Sequence, residues 1–148
     1  MLQVISPAGS GPLYQFPRGL PPTPGIYPGP GQATLLRPGE YVYLLNNTPI
    51  VAAQSSIAVQ LERTKSGFFY PIGFSMEISF SGAPGPFEAD CQTSDTDQDS
   101  FFAKNTSVST VTANNVARIE MTNYWALFTR VSFSTLTNAV TVTVKITR

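Results

Sequence analysis

The chain has 148 residues, of which 42% are hydrophobic and only 12% charged, so it is long enough to close a hydrophobic core over a surface rich in Ser, Thr, Asn and Gln. Nine basic and nine acidic residues cancel, which leaves no net field to draw the protein to nucleic acid or an anionic membrane. The single Cys91 excludes an internal disulfide, and the total lack of histidine removes the usual general base, proton shuttle and commonest metal ligand.

In chain order, residues 1–33 come first and hold eight of the thirteen prolines and six of the eleven glycines. That many missing N–H donors rules out a helix or a central strand, so the composition predicts an extended arm. Its start, Met1-Leu2-Gln3-Val4, has neither the basic nor the apolar region of a secretion signal, which points to a reducing cytoplasm. The arm is no plain spacer, because Leu13, Tyr14, Phe16, Leu20, Ile26 and Tyr27 are spread along it. Tyr14, Phe16, Arg18 and Tyr27 are the candidate interface residues of a strap laid across a neighbouring subunit; a tail, or an arm folded back on its own domain, is the alternative.

Residues 34–148 form the expected folded domain. Ile57, Val59 and Leu61 alternate with Ser56, Gln60 and Glu62, Ala58 being the one small exception, and in Phe74–Ser81 every even position is apolar. Weaker strands are expected near Tyr41–Leu45, Pro86–Cys91, Ser100–Ala103, Ser107–Thr112 and Ala117–Thr122, with breakers at Gly82-Ala83-Pro84-Gly85, Thr93–Gln98 and Asn114-Asn115. Trp125, Leu127, Val131 and Phe133 share one face of Trp125–Ser134, and Val140, Val142, Val144 and Ile146 share one face of the last strand. The segment Leu136-Thr137-Asn138-Ala139 is read as the turn of a hairpin joining these two. No helical repeat appears, so the expected fold is an all-β antiparallel sandwich, with a jelly roll preferred over an immunoglobulin-like Greek key.

Few residues carry chemistry. Cys91 has no cationic neighbour in sequence and reads as an inert thiol. Asp95, Asp97 and Asp99 would share one face of an extended chain and form either a solvated loop or a hard-cation site; an EF-hand fails, since Ser100 and Thr106 stand where Gly and Glu are needed. No phosphate-binding glycine motif is present, and no cofactor is expected. Phe68-Phe69-Tyr70 and Tyr124-Trp125 are the candidates for a sugar-stacking platform, against the alternative of ordinary core packing.

The stretch Ile72-Gly73-Phe74, Ala83-Pro84-Gly85-Pro86-Phe87-Glu88 and Gln92-Thr93-Ser94-Asp95, with Arg118-Ile119-Glu120, Phe128-Thr129-Arg130-Val131 and Val140-Thr141-Val142-Thr143-Val144, resembles β-sandwich virion proteins of tailed bacteriophages. These include capsid cement, or decoration, proteins and small head or tail accessory proteins. The resemblance covers roughly the C-terminal half. It implies a non-enzymatic structural protein, assembled in the bacterial host cytoplasm and carried in the virion, often as a homotrimer bound to the major capsid protein or other virion subunits. A tail or fibre module that binds host-surface glycans is the alternative.

Overall fold

The computed structural model describes residues 4–5, 13–14, 33–62, 64–65, 68–69 and 72–148. In chain order the strands are β1 (Val4–Ile5), β2 (Leu13–Tyr14), β3 (Thr34–Leu36), β4 (Tyr41–Pro49), β5 (Gln54–Ser55), β6 (Val59–Leu61), β7 (Thr64–Lys65), β8 (Phe68–Phe69), β9 (Ile72–Phe80), β10 (Ala89–Ser94), β11 (Ala103–Val108), β12 (Val116–Tyr124), β13 (Phe128–Phe133) and β14 (Thr141–Thr147). One 3-10 turn, Asp99–Phe101, precedes β11. Among the described residues there is no α-helix, as the alternating pattern requires.

β1–β2 and β7–β8 form separate two-stranded ladders, and the other ten strands build two mostly antiparallel sheets. The first runs β11-β10-β13-β6-β3, with β5 also on β13, and the second runs β12-β9-β14-β4. Only the short β3–β6 ladder is parallel. Sequence neighbours seldom share a sheet: β3 to β4, β9 to β10, β11 to β12, β12 to β13 and β13 to β14 all change sheets. The first of these changes is made in a tight turn, Arg37-Pro38-Gly39-Glu40, closed by a bond from the Glu40 amide to the Arg37 carbonyl at 3.1 Å. Its third residue, Gly39, has φ +82°, the conformation a Pro-Gly turn needs and a Cβ would oppose.

Alternation within strands sets the core. Phe74, Met76, Ile78 and Phe80 of β9 are buried, as are Val142, Val144 and Ile146 of β14, and they meet Val59, Leu61, Ala89, Cys91, Val131 and Phe133 from the other sheet. Phe80 and Phe133 touch edge to face across the gap at 6.5 Å between centroids, and Phe87 stacks tilted on Phe80 at 4.8 Å. Each such side chain contributes roughly 1.5–3 kcal/mol by leaving water. Where β5 and β6 leave a gap beside β13, the fully buried Ser56 fills it. Its hydroxyl accepts the Val131 amide at 3.1 Å and donates to the Ile57 carbonyl at 2.7 Å, so no backbone group is stranded there.

Four local expectations need correction. Trp125–Ser134 and the last strand do not form a hairpin: β13 pairs with β10, β5 and β6, whereas β14 pairs with β4 and β9. Residues 134–140 are long enough to cross the ~10 Å between packed sheets, and alternation says which face is apolar without saying which neighbour it meets. The strand begins only at Phe128, and Trp125 is 58% exposed rather than core-facing. Ser100 and Phe101 lie in the 3-10 turn, and one strand, Ala103–Val108, spans the gap between the two strands expected at Ser100–Ala103 and Ser107–Thr112. Near the start of the chain, β1 and β2 pair antiparallel, Val4 opposite Tyr14, so a two-stranded ladder exists where the composition predicted only extended chain.

Candidate functional site

Antiparallel pairing puts Ser94 of β10 opposite Phe128 of β13. The loop that leaves β10 and the loop that enters β13 therefore emerge at the same end of the first sheet. Between them lies an open cleft of about 360 Å³, lined by Thr93, Ser94, Asp95, Thr96, Phe101 and Ala126. Its size is within the roughly 300–1,000 Å³ of small-molecule sites. Thr93 and Ser94 are almost wholly buried, 9% and 7% exposed, whereas Phe101 is 61% exposed. Trp125, next in sequence to the lining Ala126, is also mostly exposed. The Ser94 Oγ accepts the Thr96 amide at 3.1 Å and keeps a proton to donate.

One wall of the cleft is tied to the sheet by Arg130. Thr129, Val131 and Phe133 face the core, so Arg130 points to the opposite, outer face of β13, yet it is only 5% exposed. Gln92, its cross-strand partner on β10, accepts from Nε at 2.8 Å; Asp99 of the 3-10 turn accepts from Nη1; and the Phe102 ring lies 4.3 Å below the guanidinium carbon. The β10–β11 loop thus folds over the outer face and shields a charge that would otherwise be expensive to bury. Asp99 remains 69% exposed at its side chain, so water reaches the pair from one side.

Asp99 is spent on this contact, and the three acids of the loop are not gathered into one group. Among the described residues no cluster of three or more Cys, Asp or Glu has a metal-binding arrangement. A second charged group, on the β10–β11 pair, joins Lys104 to Glu88 and, at 3.1 Å, to Asp90. The hydrogen bond from Lys104, then its charge, holds the Glu88 carboxyl below its ordinary pKa, and the bond to Glu88 raises Lys104 in turn. Cys91 is buried at the centre of β10, and burial pushes its thiol up to about 11, outvoting the weak contact with the Thr129 hydroxyl at 3.5 Å. A thiol so protonated is a poor nucleophile near neutrality.

Of the residues singled out by sequence, Phe16, Arg18 and Tyr27 lie outside the described residues, and Tyr14 is described only by its place in β2. Tyr70 and the side chains of Phe68, Phe69 and Tyr124 lie outside them as well. Trp125 alone of the sugar-stacking candidates has a described side chain; it is exposed and next in sequence to the lining Ala126. Phe101, Ala126 and Arg130 were not singled out by sequence. Phe101 and Ala126 become neighbours only because β10 and β13 pair, a contact no local pattern encodes. The sequence matches no known family model, and no curated protein matches it.

Proposed function

We propose that the protein is a non-enzymatic structural subunit of a tailed-phage virion, a jelly-roll cement or decoration protein that stabilises the head shell through protein–protein contacts. The strand order carries this reading. Setting β3 and the short β5 aside, the order β4-β14-β9-β12 on one side and β6-β13-β10-β11 on the other supports an eight-stranded jelly roll built from two Greek keys. An immunoglobulin-like sandwich fits less well, since its first two strands pair within one sheet, whereas β4 and β6, the first two of these eight, lie in different sheets. Jelly rolls recur in viral capsids and in lectins, and two close-packed sheets give the rigid, low-motion body that a shell-binding subunit uses.

In this reading residues 1–33 strap the sandwich to the major capsid protein or to a second copy, with Tyr14, Phe16, Arg18 and Tyr27 as anchors and a trimer as the assembled form, built in the host cytoplasm. Deleting residues 1–33 tests it. The truncated protein should melt as cooperatively as the full chain, because among the described residues the hydrophobic core cluster begins at Leu36. It should lose its trimer by size-exclusion chromatography with light scattering and fail to co-sediment with phage shells. Undiminished decoration of shells by the truncated chain would overturn the strap and leave the arm as a tail. A second reading, a tail or fibre module that binds host-surface glycans, is favoured by the exposure of Trp125 beside a cleft.

A further inference from the structure

The geometry points to the cleft between the β10–β11 loop and the β12–β13 loop as a binding site for a neutral saccharide, with Phe101 and Trp125 stacking on the sugar and Asp95, Ser94 and Thr96 bonding its hydroxyls. The inference rests on the glycan reading for the existence of a sugar ligand, and it assigns the place and the chemical class, which that reading leaves open. It is indifferent to whether the subunit sits in a head or a tail.

Three observations narrow the ligand. The lining alternates apolar and polar groups: Phe101 and Ala126 offer C–H-compatible surface, and Thr93, Ser94, Asp95 and Thr96 offer hydroxyls and a carboxylate. A ligand matched to both must present an apolar face and a dense edge of hydroxyl groups, as a pyranose does. None of the lining residues is basic, and the nearest arginine along the strand, Arg130, is turned to Gln92, Asp99 and Phe102. With Asp95 present, a phosphate, sulfate or carboxylate ligand would meet repulsion and no counter-charge. A cation fares no better, because the loop acids are not grouped as ligands.

The walls also have the stiffness a sugar site needs. Thr93 of β10 is paired on both sides, Ser94 is paired with Phe128 of β13, and Asp95 follows directly. Phe101 is followed directly by Phe102, whose ring lies under the buried Arg130 and so fixes the end of the turn. An exposed aromatic on a pinned turn loses little freedom when a ring stacks on it, which is what makes weak stacking useful. Phe101 lies in the loop leaving β10 and Ala126, preceded by the exposed Trp125, in the loop entering β13, so a saccharide in the cleft would contact both loops.

The full chain should be screened on an array of neutral oligosaccharides, and the best ligand titrated calorimetrically. Phe101→Ala and Asp95→Asn should each weaken binding at least about tenfold, and Trp125→Ala should do the same. All three sites are solvent-exposed, so the variants should keep the parent melting temperature; Tyr41→Ala, on the second sheet, is the control and should bind as the parent does. Sugar binding that survives all three changes would overturn the cleft assignment while leaving the glycan reading standing. A blank array for the parent protein would overturn both. Loss of shell attachment in Phe101→Ala, with no sugar bound by the parent, would make the cleft a protein-docking site and overturn the inference likewise.

Discussion

At the Ala89 end of the β10–β13 ladder, the loops before β10 and after β13 are knitted together; at the Ser94 end, the corresponding loops stand apart around a cleft. The closed end has the Ser134 amide on the Glu88 carbonyl at 3.2 Å, the Glu88 amide on Ser134 Oγ at 3.2 Å, and Asn138 Nδ2 on the Ala83 carbonyl at 2.9 Å. Gly85, with φ +69°, runs so close to Thr137 and Asn138 that an added Cβ would meet both at 3.3 Å. The open end is held to the sheet chiefly through one arginine. One ladder therefore supports two kinds of loop: bonds that each engage a backbone group tie one end loop to loop, and fastening between side chains makes an end with surface to spare for a ligand.

If that contrast is sound, changes at the closed end should be global and changes at the open end local. Phe133→Ala should have the largest effect, about 3–5 kcal/mol of unfolding free energy by urea denaturation, since the ring is 2% exposed and bridges the sheets through Phe80. Gly85→Ala should cost about 1–2 kcal/mol from its backbone conformation and crowding, with the whole cooperative transition shifted. Asp99→Ala should cost only about 1 kcal/mol, because water already screens its pair with Arg130. Its signature should be faster amide exchange over residues 95–102 with protection at residues 81–88 unchanged; equal loss at both ends would break the comparison.

The smallest effect is a titration. Glu88 is lowered from 4.5 by Lys104, so its contribution is present above the unfolded value and is lost as pH falls through the lower folded one. Lys104 is raised from 10.5, so its contribution holds below that value and is lost as pH rises through the folded one. Both groups are exposed, and the stability change should be slight. By NMR, Lys104→Met should move the Glu88 midpoint back up toward 4.5; an unmoved midpoint would show that the pair does not persist in solution.

Strand faces were legible in the sequence, and strand partners were not. Phe74–Ser81 and Val140–Ile146 declare a buried face by period two, and both faces are where alternation puts them, because a one-residue slip would turn every apolar side chain to water. The C-terminal hairpin was misread because two adjacent alternating runs look the same whether they pair or face each other across a core. At the candidate site, Trp125 was noticed for its chemistry, but its neighbours there were hidden: Phe101 sits in a run expected to be strand, and Arg130 occupies a polar position of an alternating strand, where it should be solvated. Only the backward fold of the β10–β11 loop buries it, through a contact with Asp99 31 positions away in the chain.

The repeated change of sheet from strand to strand has a kinetic side. Of the larger strands, β10 and β11 alone are consecutive neighbours in one sheet; β4 has no ladder until residues 141–147 arrive beside it, and β9 waits for the same segment and for β12. Loop-closure entropy must be met before those distant pairings return any stabilisation, so folding belongs to the millisecond-to-second range of nonlocal β proteins rather than the microseconds of helical bundles. During that interval β4, with Val42, Leu44 and Leu45 destined for the core, is an open template for another chain. The yield of folded protein should accordingly fall with concentration during refolding, while the finished fold, once closed, unfolds only as a whole.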